Sequence, residues 1–123
     1  LTPAGDDVAA GILLVECLSG SADRTSLGLL ATRAPTHAIS RAFLRAAAEG
    51  QCIEPVHTLL RAASAGDEGV ATDAVEQLSR VGHTSGLDLA AGVRAALVAL
   101  AARADSADRT PCDTISIHAH KVP

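Results

Sequence analysis

Two short stretches of the chain place carboxylates just after a glycine, at the start of an apolar segment. They are residues 5–11 and, 81 positions further along, residues 86–92, and both follow the pattern Gly-x-Asp-x-Ala-Ala-Gly. The carboxylates are those of Asp6, Asp7 and Asp88. Beside backbone N–H groups, three carboxylates could hold a divalent cation such as Mg²⁺, or position the amide and hydroxyl groups of a substrate. The alternative is that each aspartate only stabilises a helix start.

The residues next to these carboxylates are candidate ligand contacts. Thr2, Thr84 and Ser85 carry hydroxyl groups, and the turns at Gly5 and Gly86 are expected to supply backbone donors. Two helix N-termini aimed at one spot would favour an anion, although the carboxylates would repel it unless a cation or a proton intervenes. Helix capping is the alternative for each hydroxyl, because residues 85–88 read S-x-x-D, which resembles a capping box.

Histidine is the remaining candidate for acid–base chemistry. His83 follows the helix-ending Gly82 and could act as a general acid or base near neutral pH, or stabilise a helix end by its charge. His118 and His120 would share one side of an extended segment, which is a weak metal signal. The sequence therefore leaves open whether a metal is bound.

The composition limits the partners and the setting. The chain of 123 residues is long enough for one domain, has a single aromatic residue and carries a formal net charge of −4, so nucleic acid is not expected to bind. Three widely spaced cysteines fit no disulfide framework, and we expect a reduced, cytoplasmic setting. The apolar runs at residues 8–18 and 89–102 are shorter than the roughly 20 residues of a membrane span, so no membrane association is expected.

The hydrophobic pattern predicts an all-α fold: one compact domain over residues 1–104 with an irregular, loosely held tail over 105–123. Residues 19–35 fit either a short helical turn or an extended piece. Pro55 suits the first turn of a helix, and glycines end the first, second and fourth helices. About five helices are predicted, over residues 6 or 7–18, 37–49, 54 onward, 71–81, and from the second motif to about 103.

Two helices in this pattern are amphipathic. Thr36 is a plausible N-cap for the helix at 37–49, whose apolar face would include Ile39 and Phe43. In the helix at 71–81, the apolar spacing points Val75 and Leu78 inward. The first and fifth helices are apolar almost all round and are expected to lie side by side at the centre.

Small residues in the two repeated motifs support that central pairing. Gly11 and Gly92 occupy the same place in the two copies, each after two alanines. Because glycine costs about 1 kcal/mol relative to alanine inside a helix, close contact between the two backbones is a reason to find it there. If the helices cross at this point, their N-terminal turns could meet.

The same residues carry a resemblance to a known family. Over about residues 1–103 the chain resembles the C-terminal part of a bacterial family of domains of unknown function, associated with the AllH subunit of oxamate carbamoyltransferase. The resemblance rests on residues 1–7 with Ala10 and Gly11, on Thr36 with Ile39 and Ser40, and on residues 82–88 with Gly92.

The resemblance implies an enzyme that exchanges a carbamoyl group between oxamate and phosphate in allantoin breakdown, as a complex with two other kinds of subunit. In the family the first motif follows a preceding domain, so this chain is expected to be part of a longer protein. Ala4 stands where many relatives have serine. The residues that would line a site by this resemblance are Gly5, Asp6, Asp7, Thr84, Ser85, Gly86 and Asp88.

Together these observations favour a subunit of a carbamoyltransferase-like complex that binds a small anion or a carbamoyl compound between two helix N-termini. Asp7, His83 and Asp88 would act on the ligand, while Thr2, Gly5, Asp6, Thr84, Ser85 and Gly86 would bind it. The alternative is a non-catalytic helical domain that docks partner subunits.

Overall fold

The computed structural model describes residues 3–109, and this part of the chain folds as helices joined by short turns. The all-α prediction is confirmed. The helix count is six rather than five, because residues left undecided between turn and strand form a helix of their own. The helices are α1 (Ala4–Ser19), α2 (Arg24–Arg33), α3 (Ala38–Ala48), α4 (Glu54–Ala65), α5 (Glu68–Ser79) and α6 (Ser85–Arg109).

Helix α2 exists because its first turn is capped. The Asp23 carboxylate accepts hydrogen bonds from the backbone N–H of Ser26 at 2.8 Å and from its hydroxyl at 2.7 Å. The same bonds from Ser26 lower the pKa of the Asp23 carboxyl. Leu27 and Ala31, one turn apart, are buried. A Ser-Leu-Gly-Leu-Leu stretch shows no clear period, so the cap was the available signal for this helix.

Helix α3 corrects two expectations. Its N-cap is His37 rather than Thr36, and the buried face contains Ser40 and Leu44. Phe43, expected in the core, is 56% exposed, as is Ile39 at 63%. The helix is rotated by about one residue from the predicted face. Ser40 lies inside, where it contacts the His37 ring at 3.3 Å, and Ile39 and Phe43 lie outside.

Helices α4 and α5 form a hairpin around the left-handed Gly66. Pro55 lies in the first turn of α4, as the sequence predicts. Helix α5 begins three residues earlier than expected, at Glu68, where Asp67 caps it by accepting from Val70 N–H. Leu78 is buried as predicted, but Val75 is 36% exposed, since Ala74 takes the inward position.

Helix α6 continues through Arg109, past the boundary expected at residue 104. Residues 105–109 are therefore helical rather than irregular, and residues 110–123 lie outside the described part of the chain. By length and composition alone, Ser85–Asp108 would suffice to cross a membrane, which the shorter apolar run in the sequence did not suggest. One such helix is weak evidence, because core helices of globular proteins pass the same test.

The helices pack around α1. Its largest interface is with α6, followed by that with α3, while α2 lies on α3 and the α4–α5 hairpin lies mainly against α6. The predicted central pair is thus α1 and α6. Apolar residues that are at least 97% buried fill the space between the helices, among them Leu14, Val15, Leu27, Leu44, Val56, Leu78 and Val93.

Candidate functional site

The two acidic motifs lie at the same end of the molecule. Gly92 of α6 lies against Val8 of α1, and further along the pair Arg103 is 3.0 Å from Glu16. Contacts therefore advance in the same direction along both helices, so α1 and α6 run parallel. Their N-terminal turns therefore lie at the same end of the helix pair.

Glycine makes this close approach possible. A β-carbon at Gly92 would overlap the backbone carbonyl of Val8, and one at Gly11 would overlap that of Leu89. This packing agrees with the expectation that small residues let the backbones of α1 and α6 meet. Gly86 is constrained in the same way, because a β-carbon there would overlap the carbonyl of Leu78 at the end of α5.

A cavity of about 500 Å³ opens beside this crossing. It brings together Asp7 of the first motif and Ser85, which directly precedes the second, with apolar walls from α1, α3 and α6. Asp7 is only 7% exposed. The lining residues are Asp7, Ala10, Phe43, Ala46, Ala47, Gln51, Cys52, Ile53, Val81, Gly82, Ser85 and Leu89.

Asp6 takes part in a separate network. Its Oδ2 accepts a hydrogen bond from the Thr36 hydroxyl at 2.5 Å. Arg41 holds the same loop, because its Nη2 donates to the carbonyls of Thr36 at 2.7 Å and Ala34 at 3.2 Å. Thr36 therefore joins α1 to α3, a role that its interpretation as a helix cap missed.

Asp88 is half-buried on the first turn of α6. Its backbone N–H donates to the Thr84 carbonyl at 2.9 Å. Within residues 3–109, its buried Oδ2 has no hydrogen-bond partner. Because a buried carboxylate oxygen without a partner is costly, Asp88 is open to a further donor.

Other expected site residues lie apart from the cavity. His83 and Thr84 are exposed on the turn before α6, and Gly5 is exposed within α1 rather than in a turn. The N–H of Gly86 already donates to the Val81 carbonyl at 3.2 Å. Thr2, like His118 and His120, lies outside the described residues.

The sequence also matches a known protein family. A family model described as oxamate carbamoyltransferase subunit AllH matches residues 1–97. The chain belongs to this family. The match covers the N-terminal part of the chain and ends inside α6, short of the boundary near 103 that the sequence suggested. No solved structure matches the chain.

The AllH family name describes a subunit of a carbamoyltransferase, so other subunits are its partners by that description. The cavity lining in this AllH chain includes both motifs, which a repeated pattern could predict. It also includes Phe43, Gln51 and Cys52, which no sequence signal connected to the motifs. Phe43 lies in the middle of α3, and Gln51 and Cys52 lie in the loop after it. Only tertiary packing brings these three to the cavity.

Charge and protonation set what this cavity can hold. Its lining contains no Arg, Lys or His. Burial raises the pKa of the Cys52 thiol, so this cysteine is protonated at neutral pH. Within residues 3–109, no group of three or more His, Cys, Asp or Glu side chains could hold a metal ion. The described geometry thus offers acceptors and a hydroxyl within apolar walls.

Proposed function

We propose that this AllH-family chain contributes its cavity to a carbamoyltransferase-like complex of purine and allantoin nitrogen breakdown in the cytoplasm. The cavity would hold a small ligand that carries a carbamoyl or amide group. The observation that carries this proposal is the burial of Asp7 beside Ser85, in a cavity with otherwise mostly apolar walls. Such a pocket, with a few convergent polar groups, is typical of small-molecule sites.

The chemistry of the lining favours the amide end of the ligand. An ionised carboxylate only accepts hydrogen bonds, so Asp7 suits the N–H groups of oxamate or of a carbamoyl group. The Ser85 hydroxyl can donate to the ligand's carbonyl oxygen. Asp88 does not line this cavity, so its buried Oδ2 is a candidate acceptor for a donor outside the cavity.

The anionic end of the ligand needs a different partner. A phosphate or carboxylate next to Asp7 would be repelled, and the cavity lining supplies no cationic side chain. The partial positive charge at the starts of α1 and α6 offsets only part of this repulsion. We propose that a cation from elsewhere in the complex, either a partner subunit's side chain or Mg²⁺, completes the site. His83, exposed on the adjacent turn, would shuttle a proton there.

A second candidate function is a docking domain without chemistry of its own. Phe43 is 56% exposed while it lines the cavity. An exposed aromatic side chain at an apolar cavity is a common anchor in protein interfaces. In that case Asp7 would serve only to stabilise the start of α1.

A ligand titration separates the two functions. Thermal unfolding of the full chain is followed with oxamate, phosphate and carbamoyl phosphate, each with and without Mg²⁺. A ligand at 100 times its Kd stabilises the native state by about 2.7 kcal/mol. We expect oxamate or carbamoyl phosphate to raise the unfolding temperature, and Asp7→Asn to abolish that shift without preventing folding.

Two controls sharpen this experiment. Asp105→Asn makes the same chemical change at an exposed position of α6 and should keep the shift. The rate of Cys52 alkylation reports directly on the cavity, with a Cys52→Ser variant as the background. A bound ligand should slow this alkylation. If no ligand changes either measurement, the isolated subunit has no such site. If Asp7→Asn only lowers stability, the docking function is favoured.

A further inference from the structure

Helix α2 and the end of α3 expose a surface that is both apolar and basic. Leu29 and Leu30 are 48% and 65% exposed. Leu29 lines two shallow grooves of about 530 and 520 Å³, one shared with Arg24 and Arg45 and the other with Leu30 and Arg33. These five residues are called the basic face.

The arginines of the basic face are not neutralised within the described chain. Ion pairs between residues 3 and 109 involve Arg61, Arg80 and Arg103, and none of the three arginines of the basic face. Glu49 is the one carboxylate that lines either groove. Exposed leucines among unpaired arginines mark an interaction surface for a partner that is apolar and acidic.

The α4–α5 hairpin offers a surface of that kind. Its two arginines are each paired with a glutamate of the hairpin. The N-cap Asp67 is followed at intervals of three by Val70 and Asp73 of α5, which places all three on one side of the helix. All three are exposed, with Val70 at 41%. These residues are called the acidic face.

One chain cannot bring its two faces together. Helices α2 and α5 do not contact each other, because α2 packs on α3 and α1 whereas α5 packs on α4 and α6. We infer that the basic face of one chain docks onto the acidic face of a second copy. The contact joins two different surfaces, so it generates rings or open chains of subunits rather than a closed two-fold dimer.

The docking contact between the basic face and the acidic face should be weak. Each face is built on little more than one helix, so the contact is small, and small interfaces between proteins are weak and transient. Association should therefore depend on concentration. It should also weaken with salt, because raising the ionic strength from about 0.01 M to about 1 M shortens the Debye length from about 30 Å to about 3 Å.

Sedimentation velocity of the full chain over a range of concentrations tests the inference. We expect assemblies larger than a monomer at low salt. Arg33→Glu or Asp73→Arg should each raise the Kd about tenfold or more, because each places like charges opposite each other. Arg94→Glu, an equal change of charge on the exposed side of α6, should leave assembly as it was.

Mixing the two variants identifies the pair of faces. A mixture of Arg33→Glu and Asp73→Arg chains restores complementary charge, and assembly should return. Arg24→Glu gives a second reversal of the basic face in the first turn of α2, where glutamate suits the helix dipole, so a folding defect at Arg33 would not obscure the result.

A monomer at every concentration would overturn the inference, as would assembly that ignores both reversals, or reversals that mixing does not rescue. Assembly could instead survive high salt and be lost when an apolar residue of α6 is replaced. That result would assign self-association to α6. If the basic face bound anionic vesicles and the chain did not self-associate, the inference would also be contradicted.

Discussion

The hydroxyl of Thr36 connects the first acidic motif to the start of α3. It donates to Asp6 at 2.5 Å, while Arg41 holds the Thr36 carbonyl from the other side. Asp6 and Asp7 are neighbours in sequence with different tasks, because a helix turns about 100° per residue. Asp6 contacts the loop before α3, whereas Asp7 faces the cavity.

Replacing Thr36 by valine should therefore destabilise the protein. The change keeps the shape of the side chain but removes the donor to a partly buried carboxylate. Hydrogen bonds to charged groups contribute about 1.5–3 kcal/mol, and partial exposure of this one favours the lower end. We expect a loss of about 1–2 kcal/mol in the free energy of unfolding, measured by urea denaturation.

The matched control is Thr32→Val, on the exposed side of α2. A double-mutant cycle with Asp6→Asn assigns the loss to this pair, since contacting residues couple and distant ones add. Equal effects of Thr36→Val and Thr32→Val would mean that the Thr36–Asp6 bond adds no net stability.

The site could be predicted from sequence only where its residues belong to the repeated motif. The echo of residues 5–11 at 86–92 was enough to expect Asp7 and Ser85 in one place. The pattern did not predict that Asp6 and Asp7 contact different parts of the molecule. It also did not predict that His83 and Thr84 are exposed to solvent. Those distinctions depend on helix rotation and on the length of one turn, which a spacing pattern does not encode.

At the scale of the helices, long and strongly patterned segments were predictable and short ones were not. The central pairing of α1 and α6 follows from two apolar stretches with glycines in register. Helix α2 depends on the Asp23 cap, and the rotation of α3 depends on Ser40 being satisfied inside. An apolar pattern does not place a serine inside, so the face of α3 that packs inward could be assigned only from the tertiary structure.

Two glycine substitutions test the crossing of α1 and α6. Gly92→Ala adds a β-carbon that would overlap the Val8 carbonyl, and backbone cannot move aside as a side chain can. Overpacking costs about 1–3 kcal/mol, more than the roughly 1 kcal/mol that alanine gains over glycine in a helix. We expect a lower midpoint of thermal unfolding and a wider separation of the two N-terminal turns.

Gly28→Ala is the opposite case within the same protein. Gly28 lies inside α2, and a β-carbon there would have no atom within 4 Å. Because alanine loses less backbone entropy on folding, this variant should be more stable by about 0.5–1 kcal/mol. If both variants were stabilised, α1 and α6 would not cross at Gly92.

At the scale of the whole molecule, the α4–α5 hairpin is a separable part. The two helices contact each other more extensively than either contacts the rest, and they reach the body through α6. Residues at both ends of the hairpin also form cavity wall: Gln51, Cys52 and Ile53 precede α4, and Val81 and Gly82 follow α5. Movement of the hairpin would therefore open or close the cavity.

Native-state hydrogen exchange can detect this movement. Proteins open in cooperative units whose free energies range from near zero to that of global unfolding. Amides in the middle of α4 and α5 should open at a lower free energy than those of Leu14 in α1 and Val93 in α6. Both of these lie in the core and are at least 99% buried.

A ligand that fills the cavity contacts both ends of the hairpin, so it should slow exchange in α4 and α5 more than in α2. Equal opening free energies in the hairpin and in α1 would show a single cooperative unit, in which the hairpin does not move independently of the rest.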